Sequence, residues 1–173
     1  YDPYFSTRLL LTTEEGVTYH IYAPTGKIEK ITLPDGDTLT LTDTSITNTS
    51  TGKEVTFQRD AAGRITKVSD YLGQEVTYDY DAAGDLTAVT GVDNATTRFK
   101  YQEVDGSWTR PHYLNEILDP LNRSVIRNEY DEQGRLIGIR DALGNPVNFT
   151  YDPNNQREDI TDPLGNTTTY IYD

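Results

Sequence analysis

The 173-residue chain has a formal net charge of −13, with 15 Lys and Arg against 28 Asp and Glu. This balance argues against binding to nucleic acid or to an anionic membrane surface, because both need clustered basic side chains. The absence of cysteine excludes disulfides and thiol chemistry. No apolar stretch approaches the roughly 18 residues of a membrane-spanning helix, so we expect no membrane insertion.

Residues that favour turns recur along the whole chain, mostly 10 or 11 positions apart. In chain order they are Gly16, Gly26, Gly36, Gly52, Gly63, Gly73, Gly84, Asn94, Gly106, Asn122, Gly134, Gly144, Asn155 and Gly165. Every marker that is not glycine is asparagine, the other residue that readily accepts a left-handed backbone. We therefore predict positive φ at these positions, and the spacing is typical of strands joined by tight turns.

An aspartate opens many of these turns, as in Asp60-Ala61-Ala62-Gly63 and Asp162-Pro163-Leu164-Gly165. This order favours a type I turn followed by a glycine bulge, the geometry of a tight hairpin. We expect the Asp side chain to accept a local backbone hydrogen bond. A calcium loop would need more ligands than one Asp followed by small or apolar residues, so we predict no metal and no cofactor.

The stretches between turns alternate apolar and polar residues, for example Val76, Tyr78 and Tyr80 against Thr77 and Asp79. This predicts strands with one buried face and one wet face, in which most of the tyrosines pack against the sheet. The other strand of each hairpin is less regular, and there we expect a bulge or a two-sided strand. Its apolar pairs are three apart, at Ile28/Ile31, Ile65/Val68 and Leu86/Val89.

The turn spacing is interrupted in two places, and the start of the chain, to about Gly26, is divergent. Between Gly36 and Gly52 the Thr-rich run 39–47 predicts longer strands around an extra turn. Between Asn94 and Asn122 the sequence predicts a lengthened hairpin or an inserted loop at residues 102–112.

The second interruption contains the best candidate for a recognition patch: Trp108, Arg110, His112 and Tyr113. An exposed indole could stack on a sugar or on a protein surface, whereas the alternative is that Trp108 folds back and caps the sheet. The two histidines, His20 and His112, have no nucleophile motif, phosphate loop or metal-ligand cluster beside them. We therefore predict no enzyme, and no catalytic, cofactor-binding or metal residues.

A longer period of 21 residues connects Tyr130-Asp131, Tyr151-Asp152 and Tyr172-Asp173. The runs Tyr80-Asp81-Ala82-Ala83-Gly84, Tyr130-Asp131-Glu132-Gln133-Gly134-Arg135-Leu136 and Asp141-Ala142-Leu143-Gly144-Asn145 resemble the RHS repeat, also called the YD repeat. The resemblance covers about two thirds of the chain. In the last unit Asn155 replaces the usual glycine, and Gln156-Arg157 replaces the usual Arg-Leu.

The resemblance implies an all-β fold: a continuous antiparallel β-hairpin repeat sheet that forms a curved or spiralling strip of a larger β-shell. In bacterial polymorphic toxins and insecticidal toxin complexes such a shell encloses a C-terminal toxic segment. In animal teneurins a similar barrel supports adhesion outside the cell. The chain is thus expected to be a structural segment, with an extracellular adhesion module or a carbohydrate- or protein-binding module as the alternative.

The partners that the resemblance implies are the neighbouring repeats and the enclosed C-terminal cargo of the same polypeptide, with a carbohydrate or cell-surface protein under the alternative. The parent protein would be secreted or on the cell surface, and bacterial. We expect residues 1–173 to form a single sheet segment. Within it, 1–26 is a divergent hairpin, 27–101 are repeats, 102–112 is the lengthened hairpin or loop, and 113–173 are the best-matching repeats.

Overall fold

A computed structural model describes residues 7–101 and 112–173. In these residues sixteen strands form one antiparallel sheet whose strand order is the chain order, and the only helix is a single 3₁₀ turn. The predicted all-β hairpin sheet is therefore confirmed. By its internal contacts the chain divides into two units, Tyr1–Thr77 and Tyr78–Asp173, which are described separately below.

The first unit contains β1 (Arg8–Thr12), β2 (Thr18–Tyr22), β3 (Lys27–Thr32), β4 (Thr38–Leu41), β5 (Ser45–Asn48), β6 (Glu54–Arg59), β7 (Ile65–Ser69) and the first half of β8 (Glu75–Tyr80). The second contains the end of β8 and then β9 (Leu86–Thr90), β10 (Thr96–Tyr101), β11 (Leu114–Leu118), β12 (Ser124–Tyr130), β13 (Leu136–Asp141), β14 (Pro146–Asp152), β15 (Arg157–Thr161) and β16 (Thr167–Ile171). The 3₁₀ turn, Pro153–Asn155, joins β14 to β15.

The predicted turn geometry is present in both units. In the turn Asp131–Gly134, the Gly134 amide donates to the Asp131 carbonyl at 2.9 Å, and the Asp131 amide donates to the Arg135 carbonyl at 3.0 Å. This pair of bonds defines a type I turn closed by a glycine bulge. Positive φ is found at every predicted marker except two, Gly106, which lies outside the described residues, and Asn155.

The prediction for Asn155 is wrong, because the left-handed residue is Gln156, with φ 52°. Gln156 is the fifth residue counted from Asp152, whereas Gly134 is the fourth counted from Asp131, and the additional residue is taken up by the 3₁₀ turn. The Asp152 carboxylate accepts the Asn155 amide at 3.3 Å and the Asn155 side-chain amide at 2.6 Å. The left-handed position consequently moves one residue further along the chain.

The predicted bulges lie where apolar residues are three apart. In β3, Ile28 pairs with Ile21 while Lys30 pairs with His20, so that Glu29 is the additional residue. In β7, Ile65 pairs with Arg59 and Lys67 pairs with Gln58, which leaves Thr66 unpaired in the register. A bulge reverses the facing of all later residues, so two apolar side chains three apart can share one face.

The Thr-rich run does contain the predicted extra turn, but the expectation of longer strands is wrong. Strands β4 and β5, on either side of Thr42–Thr44, have four residues each. The turn has no glycine. Instead the Thr42 hydroxyl accepts the Thr44 amide at 3.2 Å and the Ser45 amide at 2.8 Å, which gives a compact hydroxyl-closed turn.

The apolar face of the strands is half-buried rather than buried, contrary to the alternation argument. Among the described residues Leu118, at 8% exposure, is the only buried hydrophobic side chain. A single sheet layer covers its side chains only by lateral neighbours, whereas burial on one face needs a second layer.

Three tyrosines, Tyr101, Tyr130 and Tyr151, each connect one hairpin to the one before it. Tyr151 is the clearest case: its hydroxyl donates to the Leu136 carbonyl at 2.7 Å, and the Arg135 guanidinium lies over its ring, 5.1 Å from the centroid. The Gly-Arg-Leu sequence of one repeat thus receives the tyrosine of the next. The equivalent hydroxyl bonds are Tyr101 to the Leu86 carbonyl at 3.0 Å and Tyr130 to the Leu114 carbonyl at 2.9 Å.

Candidate functional site

The predicted recognition patch is described only in part. Trp108 and Arg110 lie outside the described residues, while His112 and Tyr113 lie directly before β11. The flanking strands β10 and β11 pair antiparallel. Both described members of the patch contact residues of neighbouring hairpins within the second unit.

His112 forms the most specific polar contact of this region. Its Nδ1 lies 2.5 Å from Oδ1 of Asp85. The imidazole is 60% exposed, whereas the Asp85 side chain is only 10% exposed. His112 also has an unpredicted positive φ of 76°. The arrangement therefore combines a sheltered carboxylate, an accessible imidazole and a strained backbone.

Asp85 occupies the place that an arginine takes in several other turns. In Asp60–Gly63 and Asp131–Gly134 the next residue is Arg64 or Arg135, which forms an ion pair with the turn Asp at 2.7 Å. The turn 81–84 is followed by Asp85, whose amide donates to Asp81 Oδ1 at 2.9 Å. In the sequence, Asp85 is recognisable as an acidic residue at a position where other turns have arginine. Its histidine partner, however, lies 27 residues away.

The tyrosines of this region contact other groups of the second unit. The rings of Tyr113 and Tyr130 meet edge to face, with centroids 4.9 Å apart and an interplanar angle of 88°. Burial raises the pKa of the Tyr101 phenol, and the nearby carboxylates of Asp85 and Asp81 raise it further. The Tyr113 ring thus already has an aromatic partner within the second unit.

A second polar cluster, which the sequence analysis missed, crosses strands β10, β11 and β12. Glu116 accepts from Lys100 Nζ at 2.9 Å and from Arg127 Nε at 3.0 Å. The three residues are directly opposite one another in the register. Hydrogen bonding from Lys100 and Arg127 lowers the pKa of the Glu116 carboxyl to about 2. Only the strand register, which the bulges shift, could have revealed the cluster.

The turn aspartates use their oxygens locally, as predicted. Asp119 Oδ1 accepts the amides of Leu121 and Arg123, both at 2.9 Å, and Oδ2 accepts Arg123 Nε at 2.7 Å. Where the residue directly after the turn is asparagine instead of arginine, its side-chain amide replaces the guanidinium, as in Asn145 with Asp141 at 2.8 Å. The oxygens of these carboxylates thus accept hydrogen bonds from protein donors, so they are not preorganised to bind a cation.

The first unit contains a cleft of about 690 Å³. It lies between the end of β2, the start of β3 and the turn after β4, and its apolar lining is Tyr22, Ile28 and Leu41. Its edge carries the ion pair Lys27–Asp43, at 2.5 Å. The sequence analysis did not predict this cleft, because it depends on how three chain segments meet.

Three further findings concern the described residues. His20 Nε2 lies 3.1 Å from the Thr32 hydroxyl, on the neighbouring strand, so this histidine has a polar partner within the sheet. In the ranges 7–101 and 112–173 no three His, Cys, Asp or Glu side chains are grouped as metal ligands. Nor does any helix there have the length and apolarity to cross a membrane.

Comparison with protein families supports the repeat assignment. The sequence model of the RHS Repeat family matches residues 59–96 and 130–163. The matched ranges include the turns Asp60–Gly63, Asp81–Gly84 and Asp131–Gly134, whose hydrogen bonds are given above. No curated protein matches the chain.

Solved structures that contain TcdB2-TccC3 also align with this chain. The TcdB2-TccC3-Cdc42 crystal structure aligns with a TM-score of 0.49 and 14% identity, over 91% of this chain and 11% of that chain. TcdB2-TccC3 without its hypervariable C-terminal region gives a TM-score of 0.43 and 12% identity, over 90% and 12% of the two chains. TcdB2-TccC3-TEV gives 0.33 and 13%, over 94% and 14%. The chain therefore spans about a tenth to a seventh of the length of these matches.

Proposed function

We propose that this chain, which carries RHS repeats, is a non-catalytic structural segment of a shell that encloses a toxin or other cargo within a larger secreted or cell-surface protein. Its partners are the neighbouring repeats and the enclosed C-terminal segment of the same polypeptide. Residues 1–173 form one segment of this shell.

The observation that carries this proposal is the way in which each hairpin is fixed to the next. The tyrosine hydroxyl of one repeat donates to a backbone carbonyl of the preceding repeat, as Tyr151 does to Leu136 at 2.7 Å. Many of the turns are closed by their own aspartate, as in Asp119 with Arg123. Such a unit depends on its immediate neighbours alone, so the sheet can be lengthened without redesign.

The nearly complete lack of buried side chains among the described residues also fits a wall. A binding or catalytic domain of this length normally packs two layers around a core, whereas here a single layer leaves both faces available. One face can then contact cargo and the other solvent, and the net charge of −13 keeps a large exposed surface soluble.

The test uses the native polypeptide that contains these residues. Peptide mapping after limited proteolysis should show that a segment C-terminal to residue 173 is protected in the intact protein. Substituting Gly134 and Gly144 by valine should open the wall and make that segment sensitive, because valine at positive φ breaks the turns. Equal sensitivity of the segment in both proteins, or a native polypeptide without such a segment, would contradict enclosure.

A second candidate function, binding of carbohydrate or protein outside the cell, is favoured by the cleft in the first unit. Its lining combines the Tyr22 ring with the Thr25 and Thr42 side chains, and aromatic faces with hydroxyl groups suit sugars. Screening the chain against immobilised glycans, with Tyr22→Ala as the comparison, tests this function. Binding that Tyr22→Ala abolishes would support it, and no binding to any glycan would reject a carbohydrate ligand.

A further inference from the structure

In the unit Tyr78–Asp173 one face of the sheet carries a row of charged side chains that runs across four strands. The row consists of Lys100 on β10, Glu116 on β11, Arg127 on β12 and Arg140 on β13, and each residue is directly opposite the next in the strand register. Three strand spacings separate its ends, or about 14 Å. We call these four residues, which comprise three cations and one carboxylate, the cationic row.

Folding of the sheet does not account for the two arginines of the row. Arg127 and Arg140 are directly opposite each other, and like charges at such positions destabilise a sheet. No other directly opposite pair in strands β9 to β16 places like charges together. An acidic residue at either position would instead stabilise the pair. A departure from a local rule that the neighbouring pairs obey is typical of a functional position.

Each of these arginines is held by a glutamate through its Nε atom. Arg127 Nε donates to Glu116 at 3.0 Å, and Arg140 Nε donates to Glu129 at 2.7 Å. Neither guanidinium forms a further hydrogen bond with a described residue. The Arg127 and Arg140 side chains are 60% and 40% exposed. Their Nη groups are therefore available as donors to a ligand.

A glycine on β13 makes room for the glutamate that holds Arg140. Gly138 is directly opposite Glu129 in the register, and a Cβ at Gly138 would lie 3.0 Å from Oε2 of Glu129. Gly138 is not among the glycines with positive φ, so the backbone does not require glycine here, and glycine weakens a strand interior. The missing side chain thus serves to position the Glu129 carboxylate, which in turn orients Arg140.

We propose that the cationic row binds a linear sulfated polysaccharide, with one sulfate group shared by Arg127 and Arg140. A sulfate ester has three terminal oxygens in a tetrahedral arrangement, so it can accept from two guanidinium groups at once. A carboxylate has two oxygens in one plane, which match a single guanidinium. Lys100 is two strands from Arg127, or about 10 Å away, and takes a second sulfate of the same polysaccharide chain.

This inference rests on the proposed location of the parent protein outside the cell, where sulfated polysaccharides occur. It depends neither on the enclosure of cargo nor on the cleft beside Tyr22.

The charge of the rest of the chain favours a narrow ligand. A nucleic-acid duplex or an anionic membrane surface is broad, so it would also meet other parts of a chain whose net charge is −13 and would be repelled there. A single polysaccharide chain can follow the row alone.

The carboxylate within the row does not oppose an anionic ligand. Glu116 accepts from Lys100 and from Arg127 at the same time. Its side chain is only 14% exposed, whereas those of Lys100 and Arg127 are 58% and 60% exposed. A ligand that approaches this face therefore meets the cations before it meets the carboxylate.

Isothermal titration calorimetry of the 173-residue chain with a heparin oligosaccharide, in about 50 mM salt to limit screening, measures this binding. The test variant combines Arg127→Gln and Arg140→Gln. The control combines Arg64→Gln and Arg123→Gln, which removes the same charge from two arginines paired with turn aspartates. Desulfated heparin, which keeps its carboxylates, and polyglutamate are the comparison ligands. Circular dichroism and the Tm check that each variant is folded.

The expected result is binding of heparin with a Kd that rises at least about tenfold in the test variant and less than about twofold in the control. A natural chain that does not bind heparin would overturn the proposal. So would equal weakening in the two variants, which would indicate attraction by overall charge alone. Desulfated heparin or polyglutamate that binds as tightly as heparin would also overturn it, because the ligand groups would then be carboxylates.

A second measurement needs no variant and therefore does not depend on the folding of one. In NMR spectra of the natural chain, heparin should shift the Nε–H signals of Arg127 and Arg140 and leave those of Arg64 and Arg123 in place. Shifts confined to Arg64 and Arg123 would place heparin elsewhere and reject the row as its site. Protease protection of the enclosed segment is measured separately, so a failure of heparin binding leaves the shell proposal intact.

Discussion

At the scale of single residues, the turn aspartates do most to hold the hairpins closed. Asp119 accepts two backbone amides and one guanidinium, and each of these donors belongs to its own turn. The Arg123 guanidinium and the turn amides lower the pKa of the Asp119 carboxyl below its usual range. One side chain thereby satisfies three donors that would otherwise depend on water.

We expect Asp119→Ala to lower the Tm of the chain by about 2–5 °C, because three hydrogen bonds are lost together. Asp119→Asn should recover most of the loss, since an amide oxygen still accepts the Leu121 and Arg123 amides while only the ion pair is weakened. Thermal unfolding followed by circular dichroism measures both. If alanine and asparagine reduce the Tm equally, the ion pair rather than the backbone bonds holds the turn.

The left-handed positions give a second prediction. Gly144 has φ +84°, and a Cβ at this position would meet nothing within 4 Å. Gly144→Ala should therefore cost about 1 kcal/mol through backbone strain alone. Gly144→Asn should cost less, because Asn94 and Asn122 adopt the same conformation with φ 60° and 59°. Urea denaturation of both variants measures the difference in unfolding free energy, and equal stability of the two would show that asparagine has no advantage over alanine at this left-handed position.

Much at this scale was predictable, because turn chemistry is local in sequence. The positive φ values and the aspartate acceptor role depend on four or five consecutive residues. The exception, Gln156 instead of Asn155, arises from one additional residue, which a fixed count of positions does not detect. The contact between His112 and Asp85 was not predictable, since its partners are 27 residues apart.

At the scale of strands, the cluster around Glu116 joins three of them. Glu116 on β11 contacts Lys100 on β10 and Arg127 on β12, and its side chain is only 14% exposed while the two cations are 58% and 60% exposed. Because the cations are well solvated, we expect Glu116→Gln to destabilise the chain by about 1 kcal/mol at pH 7.

The pH dependence of that effect separates charge from packing. The pKa of the Glu116 carboxyl is lowered in the folded chain to about 2, below its unfolded value. Its stabilisation is therefore fully present above the unfolded pKa and is lost as the pH falls toward 2. The difference in unfolding free energy between the natural chain and Glu116→Gln, measured by urea titration from pH 7 to pH 2.5, should shrink. A difference that is constant with pH would mean that glutamine alters packing instead.

The positions of the strands were predicted well, but the face of the sheet on which each side chain lies was predicted poorly. The alternation located β8 and β14, and apolar pairs three apart indicated the bulges of β3 and β7. The residues that meet across strands were not predictable, because each bulge shifts the register by one. For the same reason neither the Glu116 cluster nor the cleft beside Tyr22 could be derived from the sequence.

At the scale of the whole molecule, many weak local interactions stabilise the chain in place of a hydrophobic core. Leu118 is the single buried hydrophobic side chain in the described residues, so stability must come from lateral strand contacts, turn closure and the tyrosine links between repeats. The sequence indicated this architecture through its repeat rather than through a pattern of core residues. It could not indicate the half-buried faces, since alternation alone predicts a second layer that the described sheet does not have.

Because ionised aspartates close many of the turns, the chain should be sensitive to acid. The pKa values of Asp60, Asp119, Asp141 and Asp162 are all lowered, first by hydrogen bonds from the side chain four residues later. Folded-state values below the unfolded ones mean that the stabilisation is present above about pH 4 and is lost as the pH falls through the folded values. An opposing effect comes first, because partial protonation near pH 5 relieves the repulsion of a chain with net charge −13.

We therefore expect the Tm to rise slightly from pH 7 to about pH 5 and to fall steeply below about pH 4. Differential scanning calorimetry across this range measures both changes. Asp119→Asn and Asp141→Asn together provide the matched variant: asparagine does not titrate, so the acid-induced fall should be smaller in this variant than in the natural chain. An identical fall in both proteins would assign acid sensitivity to the other carboxylates. A Tm that rises continuously to pH 3 would show that net repulsion, and not turn closure, dominates the stability of the sheet.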